Sequence, residues 1–353
     1  FATKEHPLVI FLDDLQWADS ASLKLIELLI SETDTQYLLF IGAYRNNEVY
    51  AGHPLIITLD NIRKADVIVN QINLQPLDKL HLNQLIVDTL YCPESETESL
   101  TELLLTKTQG NPFFTNQLMK SMYEDGLISL NFNLGYWQCD IYAAKALYQN
   151  DDIVQFLGSQ IKKLPIDTQN ILKIAACIGN QFDLYTLSIV CEKSQLEIAT
   201  NLWNALKQGL ILPQDESYKF YVDSIDVISV SGSELELNNL ERLTVKYKFL
   251  HDRIQQAAYL LIPDAEKQAT HLKIGQLILK NSDSWELEEK IFEIVNQLNI
   301  SVELITNELD KYELAKLNLI AGQKAKLSTA YEAAVIYLRM GLELLAIDSW
   351  QNQ

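Results

Sequence analysis

The sequence predicts a multidomain α/β plus α protein, in which part of a parallel sheet precedes a long run of helices. Three observations predict it. Two short continuous apolar runs, Leu8–Leu12 and Tyr37–Ala43, flank a helical stretch, the pattern of parallel strands buried on both faces and joined by a crossover helix. Strand patterns then give way to helical periodicity after about residue 75. Beyond Pro263 every segment reads as helix.

Each element has a local reason. Leu8–Leu12 ends in Asp13-Asp14, and Asp19 and Ser20 are suited to cap a helix running to about Ile30, whose apolar residues on several sides predict burial against the sheet. Pro54–Ala65 reads as a helix, Val67–Leu74 as a further strand, and Pro76-Leu77 leads into a helix over Asp78–Leu90. Helices over Glu96–Thr108 and Phe113–Asp125 are joined by Gln109-Gly110-Asn111-Pro112. Four helices follow, over Asp151–Lys163, Asp167–Ile178, Leu184–Cys191 and Gln195–Gln208, with Gly209 closing the last. Strands Tyr218–Val222 and Val245–Leu250 bracket an acidic loop, Asp223–Glu241, and helices followed by such a two-stranded wing predict a winged-helix domain. Helices over Asp264–Lys280, Trp285–Asn299, Ser301–Leu309, Tyr312–Leu327 and Thr329–Ala346 complete the chain. The last pair carries Ala321, Tyr331, Ala334, Tyr337 and Gly341 at spacings similar to a tetratricopeptide repeat.

Composition narrows the function classes. A net charge of -19 opposes lasting contact with a polyphosphate backbone, so nucleic acid is not an expected partner. No apolar run is long enough for a membrane span, and a cytoplasmic protein is expected. Cys92, Cys139, Cys177 and Cys191 have no CxxC spacing and read as reduced, mostly buried thiols. His6, His53, His81 and His271 lack metal-ligand spacing and read as surface or satisfied core residues. Phe1 stands just before the first strand and Gln353 just beyond the last helix, the expectation being an internal piece of a longer protein.

The chemistry lies at strand ends and helix starts. A buried strand ending in Asp13 delivers a carboxylate to a sheet edge where it can hold Mg²⁺, and Asp14 is placed to polarise a water. The alternative is a turn in which both aspartates merely cap a helix. Arg45 ends the next strand, and its guanidinium can take phosphate oxygens in a bidentate fork. Gly110-Asn111-Pro112-Phe113 opens one helix, and Phe249-Leu250-His251-Asp252 another, where an imidazole at a helix N-terminus can face an anion.

Together, Leu8–Asp14 with Asp13-Asp14-Leu15-Gln16-Trp17-Ala18-Asp19, Arg45, Gly110-Asn111-Pro112 and Leu250-His251-Asp252 resemble the Walker B, sensor, GxP and Met-His-Asp elements of STAND/AAA-type P-loop ATPases. The resemblance implies part of a P-loop core over 1–75, a helical lid over 76–150, a winged helix over 151–262 and the start of helical repeats over 263–353. It further implies catalytic roles for Asp13, Asp14 and Arg45, ATP/ADP contacts from Pro112 and His251, and Mg²⁺ on Asp13. Trp17 is expected to be packing. The implied function is a regulatory ATP-binding switch, in which ADP/ATP exchange controls assembly through protein partners or self-association. The parent resembles large bacterial signalling proteins, particularly hybrids of a Ser/Thr kinase and a histidine kinase. One departure is decisive: no GxxxxGK[ST] occurs in the chain, so the isolated chain is expected to be inactive. The alternatives are a non-enzymatic interaction scaffold and, behind it, a winged-helix transcription regulator.

Overall fold

A computed structural model describes residues 2–32, 36–50, 52–148, 152–214, 216–219, 221 and 245–345. Among the described residues helices dominate, with three small sheets, and the chain divides into two compact units, Phe1–Asn73 with Ile305–Gln353, and Leu74–Leu304.

In the first unit, β1 (Leu8–Leu12) and β2 (Leu38–Gly42) pair in parallel, with Leu8 opposite Leu38 and Leu12 opposite Gly42. The crossover contains α1 (Ser20–Ser31), whose N-cap Asp19 accepts from the backbone N–H groups of Ala21 and Ser22. The expected burial of these strands is not found: Val9 is 57% exposed and Phe11 58%. A parallel strand is buried only when layers cover both faces. Among the described residues the sheet has two strands, and the small core beside it is Leu15, Leu23 and Leu55. On α1 only Leu23 is buried, while Leu25, Leu28 and Leu29 are exposed, against the expected burial of that helix on several sides.

Helix α2 (Pro54–Lys64) begins on His53, whose Nδ1 accepts from Leu55 N–H, with Pro54 in the first turn. The expected strand Val67–Leu74 is absent; this stretch joins no ladder, and Ile68, Ile72 and Leu74 are exposed. Side-chain bonds hold it instead: Gln71 donates to the Tyr44 hydroxyl and Asn46 to Asn73. β propensity without a partner edge does not make a strand.

The C-terminal helices of this unit, α14 (Glu308–Leu327) and α15 (Tyr331–Glu343), pack closely as an antiparallel pair. A Cβ on Gly322 would stand 2.7 Å from Leu338. The expected helix Ser301–Leu309 is a correction: a short 3₁₀ turn, Val302–Leu304, follows Ser301, and Asn307 restarts the chain by capping α14 through Leu309 N–H.

The second unit is built on one large core. Helices α3 (Lys79–Leu90), α4 (Glu94–Thr108) and α5 (Pro112–Glu124) contribute Leu82, Ile86, Leu104, Leu118 and Met122 to it. The hydroxyls of Thr97 and Thr101 on α4 both donate to Asn83 Oδ1 on α3, each at 2.7 Å, which satisfies three polar side chains at that helix contact. An antiparallel hairpin, β3 (Ile128–Asn131) and β4 (Tyr136–Cys139), and helix α6 (Ile141–Leu147) follow; neither was read from the sequence.

Helices α7 (Ile153–Lys162), α8 (Ile166–Ile178), α9 (Leu184–Cys191) and α10 (Gln195–Lys207) lie close to their expected bounds. The sheet beside them differs. Its order is β5 (Gln181–Asp183), β7 (Lys246–Phe249), β6 (Ile211–Pro213), all antiparallel. The ladder expected at Tyr218–Val222 is instead made by Ile211–Pro213; Tyr218 and Lys219 are helical, and Tyr221 is buried with its hydroxyl on Gln195 Oε1. Val222 and the acidic stretch 223–241 lie outside the described residues.

Helix α11 (Asp252–Leu260) docks on α7 and α8 through Ile254, Ala257 and Ala258. Helices α12 (Asp264–Asn281) and α13 (Ser284–Ile300) then pair. Between them, buried His271 is fully engaged, with Nδ1 on Gln297 Oε1 and Nε2 on the Tyr259 hydroxyl, as a satisfied core histidine should be. The four cysteines are free, and burial pushes the Cys177 thiol up to about 12 and those of Cys139 and Cys191 to about 11, which makes them poor nucleophiles. No described helix is long and apolar enough to cross a membrane.

Candidate functional site

The first group of residues forms at the C-terminal ends of β1 and β2. Asp13 is exposed just beyond β1, and its Oδ1 accepts from Asp14 N–H at 2.9 Å. Asp14 adopts left-handed backbone geometry (φ 55°), which Asp tolerates better than most residues, and this bend starts the 3₁₀ turn Leu15–Trp17. Leu15 N–H then reaches Ala43 O beyond β2, at 3.0 Å, and Ala43 N–H returns to Leu12 O. These crossed bonds lock the two strand ends together.

Arg45 follows β2 and turns toward Asp14, with Nε 3.6 Å from Asp14 Oδ1 and Nη1 3.2 Å from Glu48 Oε1. The structure therefore brings Asp14 and Arg45 together as an ion pair. Buried Gln16 ties the same two positions, donating to Asp14 Oδ1 at 2.9 Å and accepting from Arg45 N–H at 3.2 Å. Trp17 is not packing, as expected from the sequence, but 55% exposed: its indole N–H donates to Glu48 Oε2 and its ring lies 5.4 Å beneath the Arg45 guanidinium. Neither Gln16 nor Glu48 stood out in the sequence. Their signal was spacing, two residues after Asp14 and three after Arg45, within reach across one tight turn.

The donor set suits a hard cation and a terminal phosphate in part. Asp13 presents an exposed carboxylate at the strand end, and Arg45 presents a guanidinium. Among the described residues no three His, Cys, Asp or Glu side chains converge, so Mg²⁺ on Asp13 needs phosphate and water for its other ligands, as is usual for that ion. A Gly-rich phosphate cradle has no counterpart in the sequence.

The second group lies in the other unit. Asn111 caps α5 by accepting from Phe114 N–H, which leaves Pro112 exposed at the first helical position. The preceding turn needs Gly110 in left-handed geometry (φ +75°), with its carbonyl accepting from Leu77 N–H at 2.9 Å. His251 caps α11, its Nδ1 accepting from Arg253 N–H at 3.1 Å, so the neutral ring carries its proton on Nε2. Its ring stacks on Phe113 (centroids 5.6 Å, 10° between planes) and tilts against Phe114 at 4.7 Å. The residues after Pro112 thus meet His251 directly, a pairing across 138 residues that no local pattern announces. His251→Ala, which removes both cap and stack, is expected to cost about 2 kcal/mol in urea unfolding.

Residues 1–41 match the AAA ATPase domain family, a stretch that takes in Asp13, Asp14 and α1 and ends within β2, before Arg45. Over its full length the chain is similar to part of the hybrid signal transduction histidine kinase G of Dictyostelium discoideum, at 27% identity over 444 aligned residues. The chain spans 13% of the length of that relative. The similarity to an AAA ATPase domain is confined to the stretch that carries β1, α1 and most of β2, whereas the similarity to the histidine kinase runs over the whole chain.

Proposed function

We propose that the chain is the downstream part of a STAND-type nucleotide switch in a larger cytoplasmic signalling protein. Asp13 holds Mg²⁺, Asp14 orients water and Arg45 reads the terminal phosphate; Pro112 and His251 contact ATP or ADP. When bound, the cation supplies charge neutralisation at the phosphates. This chain's residues hold it, orient the water and fix the guanidinium. The observation that carries the reading is the pairing of Asp14 and Arg45 at the C-terminal ends of two adjacent parallel strands, where ligands of open α/β sheets bind.

The finer divisions belong to the same proposal: P-loop core to residue 75, lid to 150, winged helix to 262, and repeat-like helices beyond. The three-stranded antiparallel sheet beside α8–α10 supports the winged helix, and the close α14–α15 pair supports a repeat unit that recruits proteins. Nucleotide exchange then controls assembly with partners or further copies.

Without a phosphate cradle, the isolated chain is expected to show no ATPase activity and no micromolar ATP binding by calorimetry. In a longer natural protein that carries GxxxxGK[ST], Asp13→Ala is expected to abolish Mg²⁺-dependent hydrolysis, and unchanged turnover removes Asp13 from this role. His251→Ala should speed ADP release in a fluorescent-nucleotide chase. An interaction scaffold is the second reading, favoured by the absence of GxxxxGK[ST] from the sequence and by the close α14–α15 pair. Wild-type ATP affinity in the longer protein excludes it.

A further inference from the structure

Arg45 is held by more than its backbone. Asp14 and Glu48 approach Nε and Nη1 of one guanidinium, and the second oxygen of Glu48 is fixed by the Trp17 indole N–H at 3.1 Å. A guanidinium uses the same planar donors for carboxylate and phosphate. Two carboxylates around it therefore occupy directions that a phosphate needs. Gln16 holds the Arg45 backbone N–H, so release requires only the side chain to swing.

We propose that Glu48 is a latch on Arg45, which holds the guanidinium in place of the terminal phosphate of a polyphosphate ligand, while Trp17 anchors the latch. The proposal rests on the reading of Arg45 as a phosphate-binding residue. Arg45 and Glu48 are each about one-third exposed, with side-chain exposures of 34% and 32%, and part-exposed ion pairs are weak enough for a multiply charged anion to displace. Glu48 and the indole share a hydrogen bond, and the guanidinium lies over the ring. Opening the latch must therefore change the surroundings of Trp17. Charge loss alone has no such address.

The full chain is titrated with inorganic triphosphate and Mg²⁺ through the millimolar range, following the Trp17 indole N–H resonance, assigned through Trp17→Phe. Glu48→Gln is expected to tighten binding roughly threefold, the scale of one part-exposed ion pair. Glu32→Gln, which removes a charge outside the cluster, is expected to change nothing, and Arg45→Ala to abolish the shift. If Arg45→Ala abolishes binding but Glu48→Gln gives no gain, or a gain equal to that of Glu32→Gln, the latch is overturned and the phosphate reading stands. If binding survives Arg45→Ala unchanged, or no variant responds, the phosphate reading falls and the latch with it. Preserved indole dispersion in Glu48→Gln verifies that the variant is folded.

Discussion

Gly110→Ala is expected to destabilise the protein by about 4 kcal/mol, measured as a fall in the urea midpoint. Left-handed geometry at a non-glycine residue costs about 1 kcal/mol or somewhat more. The larger contribution is contact: an added Cβ would lie 2.1 Å from the Leu77 carbonyl oxygen and 3.0 Å from its carbon. Backbone cannot yield as a side-chain tip does, so the turn must move, straining the core and weakening the Leu77 N–H bond to the Gly110 carbonyl, for about 3 kcal/mol more. Gly126 supplies the control, with a similar φ of +74° and nothing within 4 Å of its Cβ position. Gly126→Ala should lose only about 1 kcal/mol. Equal losses at the two sites would show that conformation alone, and not close approach, sets the requirement. Because Gly110 leads into Asn111 and Pro112, Gly110→Ala should also disturb the stack of Phe113 on His251.

Glu293→Gln is expected to act in the opposite direction, raising stability at pH 8 by about 3 kcal/mol relative to its effect at pH 4. Glu293 lies on α13, and its Oε1 is buried without a hydrogen-bond partner among the described residues. Burial first, and then repulsion from Asp183, push its carboxyl up to about 7, with Lys290 opposing. Asp183 cannot turn to donate, because its oxygens accept from the Thr186 N–H and hydroxyl, and Lys290 is directed to Thr186 Oγ1 and the Tyr185 ring. The folded value lies above the usual one of 4.5. Below the usual value both states are protonated and the group is neutral to stability. As pH rises from there to the folded value, the unfolded chain releases a proton that the folded chain keeps. Stability therefore falls through that window, by about 1.4 kcal/mol per pH unit, and stays reduced above it. Gln cannot ionise, so the difference between wild type and variant should grow from about pH 4.5 to about pH 7 and then level. A difference independent of pH would show that Glu293 is solvated or paired.

Much of this architecture was legible because it is local. Asp19, Asp78, Asn111, Asp152 and Ser194 stand at helix starts with side chains that accept from the following turn. Gly209 ends a helix with φ +67°. The strands before Asp13 and Arg45 are legible as short apolar runs, which put these residues at one sheet edge. Pairing was less legible. Ile211–Pro213 is too short for a periodic signal and ends in proline, which an edge position tolerates, whereas the more strand-like Tyr218–Val222 found no ladder among its described residues. Val67–Leu74 failed for the same reason. Exposure was the least legible, since Val9 and Phe11 carry the pattern of burial without a covering layer among the described residues.

The sequence by itself determined most of the helices, the cap at Asp19, the two strand ends that carry Asp13 and Arg45, and the turn that leads through Pro112 into its helix. These follow from contacts within one turn, where spacing along the chain fixes spacing in three dimensions. Only the tertiary structure decided that Arg45 reaches Asp14, that Trp17 and Glu48 hold it, that His251 stacks on Phe113, and that Glu293 is buried beside Asp183. Those contacts depend on side-chain direction and on the packing of distant elements, and neither has a period in the sequence.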